Sequence, residues 1–190
     1  MKRNLLLSIV LALLLQGCGA MLIGGAATGA AVIHDRRSAG TVLDDKNIQF
    51  KLSSTIANNR ELSENASISV TSYNYAVLLV GYAENESQRE RVVDSARNTP
   101  MVKRVIDQIQ IGTPNDLAQV TRDSYITSKV KLELLKIGVP SFDPTRVKVV
   151  TESNVVYLMG LVTEEEAIAV VERVRYIDGV ERVVKIFEYI

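Results

Sequence analysis

The sequence predicts an α+β protein of two tandem domains. Each runs α-β-β-α-β and folds as a three-stranded mixed sheet covered on one face by two helices. Three observations predict this. First, the chain repeats itself: Ile68, Val70, Val77, Leu79 and Gly81 fall in register with Val147, Val149, Val156, Leu158 and Gly160. Second, apolar residues recur every four positions, at Ile48, Leu52 and Ile56 and again at Ile126, Val130 and Leu134, which is the stripe of an amphipathic helix. Third, each stripe is followed by two β-rich runs separated by polar turn residues. Of 190 residues, 47% are hydrophobic and 23% charged, a composition that supports a folded chain. The domains are placed at 41–112 and 122–190, with a linker at 113–121.

Residues 1–17 read as an address. Met1-Lys2-Arg3 is basic, and Leu5 to Leu15 is almost wholly apolar. That run is too short for a bilayer core, which needs about 20 helical residues, and it suits a secretory signal peptide. Leu15-Gln16-Gly17-Cys18 then resembles the lipobox of bacterial lipoproteins. The resemblance implies that Cys18 becomes the mature N-terminus, carrying thioether-linked diacylglycerol and an N-acyl chain such as palmitate. Two or more chains anchor stably where one holds only marginally. In such lipoproteins an Asp after the Cys signals inner-membrane retention, so Gly19 implies the outer membrane. Residues 18–40, rich in Gly and Ala, read as a flexible tether. In it His34 is expected to be solvated; contact of Arg36-Arg37 with anionic headgroups is the lesser of their readings.

The elements follow in order. The stripe at Ile48, Leu52 and Ile56 makes the first helix. Strands are expected near 66–72 and 75–82, with a turn at Ser72 to Asn74, and Gly81 ends the second. Asn85 with Gln88, and Thr163 with Glu166, have N-cap spacing, opening helices at about 86–98 and 164–176. Pro100 and Gly179 break the chain before last strands at 102–110 and 180–189. The helix at 124–137 should turn Ile126, Val130, Leu134 and Ile137 toward the sheet.

The usual chemistry is scarce. Zero net charge argues against nucleic acid. One Cys and one His leave no disulfide framework, multi-Cys zinc site or His-pair metal motif. No Ser-His-Asp or Cys-His arrangement is available, and Gly24-Gly25 opens no phosphate loop. Glu164-Glu165-Glu166 and Asp44-Asp45 are read as acidic residues that offset helix macrodipoles. No catalytic residue, metal or cofactor is expected beyond the lipid on Cys18.

The two copies differ on their first helices. On a helical wheel Tyr125 and Leu132 fall outside the core sector, with Lys129 and Lys136 beside them and Lys131 on the other flank beyond Leu135. The aligned first-copy residues are Asn47 for Tyr125, Ser54 for Leu132, Asn58 for Lys136 and Ser53 for Lys131; only Lys51 keeps the charge of Lys129. Residues 122–148 hold six basic and three acidic residues, against four and eight in 149–190. This patch of Tyr125, Lys129, Lys131, Leu132 and Lys136 suits an anionic phospholipid surface, because Tyr sits well at headgroup level and each Lys adds about 1 kcal/mol. The competing reading packs Tyr125 and Leu132 against the other domain. Phe50, off the core stripe of the first helix, is expected at the domain interface.

The element order, with Val155-Val-Tyr-Leu-Met-Gly-Leu-Val162 followed by Ile177-Asp-Gly-Val-Glu-Arg-Val183, resembles the BON domain. Thr99-Pro-Met-Val-Lys-Arg-Val105 is the first-copy counterpart, without the Gly. With the lipobox and Thr127-x-x-Val130-Lys131, the arrangement resembles the dual-BON-domain outer-membrane lipoproteins of Gram-negative bacteria. The resemblance implies phospholipid-surface association, a periplasmic location, and support of envelope integrity, with links to division sites and to outer-membrane protein assembly. The expected partner is an anionic phospholipid membrane, with outer-membrane assembly proteins the alternative; a monomer is expected.

Overall fold

The computed structural model describes residues 35–190. The signal peptide 1–17, Cys18 and the tether through His34 lie outside the described residues.

The first domain opens with α1 (Ala39–Asn58), where Ser38 caps the helix by accepting from the Thr41 amide. A one-turn helix α2 (Arg60–Ser63) follows, capped by Asn59. Strands β1 (Ser67–Tyr73) and β2 (Ala76–Ala83) pair antiparallel. Helix α3 (Glu86–Arg97), capped by Asn85, leads into β3 (Arg104–Ile111), which lies parallel to β2. The second domain repeats the order without an α2 counterpart. Helix α4 (Leu117–Leu134) is followed by a short 3-10 turn (Pro144–Arg146), then by β4 (Val147–Glu152) and β5 (Val155–Val162). Helix α5 (Glu164–Val174) and β6 (Arg182–Tyr189) complete it. Strand orders are β1-β2-β3 and β4-β5-β6, so each mixed sheet is centred on its middle strand in sequence.

Local chemistry explains most boundaries. Asp116 accepts from the Gln119 amide, so α4 begins at Leu117, inside the segment expected to be linker. Thr163 and Glu166 form a reciprocal capping box. The hairpin turn lies at Asn74-Tyr75, with φ of +50° and +66°, one residue beyond the expected turn; Ser153 and Asn154 repeat it at +50° and +63°. Two successive positive φ values match the twist of the flanking strands. Gly81 does not end β2, which runs two residues further. Its φ is +114°, and a Cβ there would lie 2.0 Å from the Ser67 carbonyl oxygen, so the close approach of β1 requires glycine.

The two helix stripes occupy matching places. Ile48, Leu52 and Ile56 pack with Val77 and Leu79 in one core, and Ile126, Val130 and Leu134 pack with Val156 and Leu158 in the other. Ile137 also packs on the second core, from beyond the helix end. Burying such side chains contributes roughly 1.5–3 kcal/mol each.

A third core joins the domains. Side chains alternate across a strand, so Leu78 and Val80 point away from the first domain's helices, as Tyr157 and Met159 point away from the second's. These residues pack together with Tyr73, Ala76, Val155 and Ile186. Arg36–Ile190 is therefore one compact unit of four layers: helices, sheet, sheet, helices. Phe50 is not at this interface but is 76% exposed. The domains meet through the backs of their sheets, and α1 lies on the opposite side of its sheet.

The segment before α1 is built into the fold. Arg36 donates to both carboxylate oxygens of Glu166 and to the Leu161 carbonyl at 3.0 Å. Arg37 donates to Asp45 at 2.7 Å and stacks on the Tyr73 ring, 3.8 Å from its centroid. The expectation of a tether running to residue 40 is thus corrected, and with it the lesser reading of a headgroup contact by this pair. Buried carboxylates require nearby cations, and these arginines meet that need.

Candidate functional site

The outer face of α4 carries the candidate site. Tyr125 is 63% and Leu132 59% exposed, so neither packs against the other domain. Leu117, Val120 and Leu135 are exposed too, and at 100° per residue Leu117, Tyr125, Leu132 and Leu135 share the face opposite Ile126, Val130 and Leu134. The strip from Leu117 to Leu135 runs about 27 Å at 1.5 Å per residue. Leu117 and Val120 were missed because their segment read as linker; Asp116 with Gln119 was the available signal.

The cations on the two flanks differ in their partners. Lys129 lies 5.3 Å from the Tyr125 ring centroid, donates to the Asp178 carbonyl at 3.1 Å and sits 3.7 Å from the Asp178 carboxylate. Lys136, in the turn after α4, pairs with Glu133 at 2.5 Å, and Glu133 also takes Arg173 at 2.8 Å. The hydrogen bond from Lys136 holds the Glu133 carboxyl below its ordinary value, assisted by Arg173. A shallow groove of about 500 Å³ on this flank mixes Lys129 and Lys136 with Glu133, Glu172 and Asp178, so it favours no sign of ligand.

Lys131, on the other flank, faces a different neighbourhood. It lines a groove with Lys148, Arg37 and Tyr73. Partial burial pushes the Lys148 amine below its ordinary value, and the nearby charges of Lys46, Arg37 and Lys131 push the same way. Neither Lys131, Lys148 nor Lys46 has a carboxylate ion-pair partner among the described residues. The net positive field of α4 therefore lies on its Lys131 side, toward the seam between the domains.

Two acidic groups take roles that macrodipole reasoning does not supply. Asp45 lies inside α1, is buried, and accepts from Ser72 Oγ and from the backbone amides of Asn74 and Tyr75. Asp123 repeats this in α4, accepting from the amides of Ser153 and Asn154. Each clamps its helix to the positive-φ hairpin turn. Their signal was the shared Asp-x-x-Ile at Asp45 and Asp123. Glu166 is buried: burial pushes its carboxyl up, but Arg36, the Thr163 amide and Arg146 together hold it below the usual carboxylate range. Glu164 and Glu165 remain exposed in the first turn of α5. Among the described residues no three of His, Cys, Asp and Glu gather as a metal site. None of their helices is long and apolar enough to cross a membrane.

Comparison with known proteins places this geometry in context. The BON domain matches residues 44–113 and 122–190. The outer membrane lipoprotein DolP of Haemophilus influenzae is 32% identical over 176 residues, covering 93% of this chain and 90% of that protein. A 21 kDa hemolysin of Actinobacillus pleuropneumoniae is 33% identical, covering 82% and 79%. Osmotically-inducible protein Y of Escherichia coli is 27% identical, covering 82% and 77%.

Proposed function

The chain belongs to the BON-domain family, and from that premise we propose that it is a non-catalytic, lipid-anchored protein of the periplasmic face of the outer membrane. Its second domain docks on anionic phospholipid and so supports envelope integrity, including at division sites. The observation that carries this reading is the outer face of α4, where Leu117, Tyr125, Leu132 and Leu135 stand exposed beside Lys131, which has no ion pair among the described residues. Apolar residues insert shallowly while cations steer and hold the approach. The name of the Haemophilus relative, an outer membrane lipoprotein, supports the location. So does the lipobox at Cys18, whose acyl chains hold the protein at the surface that α4 reads. Mass spectrometry of the native N-terminus is expected to find acylated Cys18.

The test is sedimentation of a soluble chain beginning at Gly19 with phosphatidylcholine vesicles, with and without phosphatidylglycerol. Binding should require phosphatidylglycerol and fall with salt. Leu117→Glu with Tyr125→Glu should abolish it, Lys131→Glu should weaken it about fivefold or more, and Lys51→Glu should leave it unchanged. Binding to neutral vesicles at high salt, or equal loss from Lys51→Glu, overturns the reading. Lipid-independent capture by an outer-membrane assembly protein through Tyr125 and Leu132 would replace it with an adaptor role.

A further inference from the structure

We infer that the seam between the two domains is a cleft for one anionic phospholipid molecule, its phosphate among Lys46, Lys131 and Lys148 and an acyl chain along Leu132, Leu135 and Pro144. Two grooves meet there. One, of about 680 Å³, lies between α4 and β4, and the other, of about 390 Å³, lies beside α1. Both are lined by Arg37, Tyr73 and Lys148, so they adjoin at these residues. Each falls in the size range of small-molecule sites, which pair apolar walls with a few placed polar groups.

Charge selects the occupant. The cations around the adjoining grooves are Arg37, Lys46, Lys131 and Lys148, against Asp45 as the single carboxylate. Asp45 is already committed to Arg37, Ser72 and two backbone amides. Three lysines with no ion pair among the described residues, close enough for their fields to depress the Lys148 amine, form a site that an anion relieves. The adjoining walls are apolar, made by Leu132, Leu134, Leu135, Pro144, Val147 and Val149. A cationic centre continuous with an apolar trough fits an amphiphile better than a free anion or an acidic peptide.

The floor is rigid. Arg37 stacks on Tyr73, and the Tyr73 hydroxyl accepts from the Leu161 amide and donates to the Arg146 carbonyl, both at 3.2 Å. The site therefore exists only where the first domain's leading segment meets the second domain. It is also absent from the repeat: Lys148 aligns with Ser69 and Lys131 with Ser53. Leu132 belongs both to the cleft and to the outer strip of α4, so a lipid entering the cleft comes from the surface that α4 docks on. In that respect the inference rests on the membrane reading above.

The experiment titrates the chain beginning at Gly19 with dihexanoyl phosphatidylglycerol below its micelle-forming concentration, following backbone amide resonances. Saturable shifts should centre on Arg37, Tyr73 and Val147 to Val149. Dihexanoyl phosphatidylcholine and glycerol phosphate should each bind about tenfold more weakly or worse. Lys46→Glu with Lys148→Glu should weaken phosphatidylglycerol binding about tenfold or more, and the milder Lys148→Ser should weaken it without disturbing the fold. Tyr125→Glu should leave monomer affinity unchanged while removing vesicle binding, so failure of the docking strip and failure of the cleft are separable. Equal affinity for phosphatidylcholine, equal affinity for glycerol phosphate, shifts confined to the outer face of α4, or no saturable shift would each overturn the inference.

Discussion

Asp45 and Asp123 show how one buried side chain sets a local fold. Each sits on a helix facing the sheet and accepts two backbone amides from a turn whose residues have positive φ. Tyr75 would resist that conformation in isolation, because its Cβ crowds the backbone. The carboxylate stabilises the turn by satisfying donors that have no other partner. Asp123→Ala should destabilise the protein by about 2–4 kcal/mol, since hydrogen bonds to charged groups are strong and the orphaned amides stay desolvated; urea unfolding measures it. Glu166 adds a pH dependence. Its folded value is depressed, so its stabilisation is complete above the unfolded carboxylate value and is lost as pH falls through the folded one. The difference in melting temperature between the wild type and Glu166→Gln should therefore be largest near neutral pH and vanish in acid. A difference that persists in acid would mean that the Arg36 pairing is not its source.

Helix α4 has a buried face and an exposed one, and the two can be tested separately. The inner stripe is buried, with Ile126 1% and Val130 0% exposed, so Ile126→Ala should cost about 2–5 kcal/mol. Tyr125 is exposed, so Tyr125→Glu should shift stability by no more than about 0.5 kcal/mol while removing vesicle binding. Thermal melts beside vesicle sedimentation check both; a Tyr125→Glu protein that melts early would place Tyr125 in the fold. Helix α1 has its own exposed pair, Leu43 and Phe50, but its outer-face positions 47 and 54 are Asn and Ser. The apolar strip is therefore shorter there, which is why the proposed docking is assigned to α4.

The sheet-to-sheet core joins the two domains in one compact unit, which predicts cooperative unfolding. Leu78, Val80, Tyr157 and Met159 point away from their own domains' helices and join one apolar cluster drawn from both sheets. Leu78→Glu would put a charge where Leu78 is 0% exposed, and an unpaired buried charge is disfavoured by several kcal/mol. Calorimetry should show one unfolding transition for the wild type, with calorimetric and van't Hoff enthalpies equal. Leu78→Glu should split or broaden it and loosen the cleft that both domains build. A variant that keeps a single sharp transition would show that the domains are stable apart from this interface.

The sequence by itself determined the repeat, the order of elements, the inner stripes and the helix starts at Asn85 and Thr163. These depend on spacings of two to four residues, and local geometry sets them. It also exposed Tyr125 and Leu132 as out of place on the core face. Only the tertiary structure decided where Arg36 and Arg37 go, that Phe50 stays in solvent, that the acids of α1 and α4 hold hairpin turns, and that the second domain's cations collect on the Lys131 side. Those outcomes depend on which groups meet in the folded chain, 29 residues apart for Asp45 and Asn74 and 130 apart for Arg36 and Glu166, and no spacing rule carries that information. The sheet packing lies between the two cases. Val77 to Val80 and Val155 to Met159 are unbroken apolar runs, and such strands are buried on both faces. That the second face is covered by the other domain followed from there being no further layer in Arg36–Ile190 to cover it.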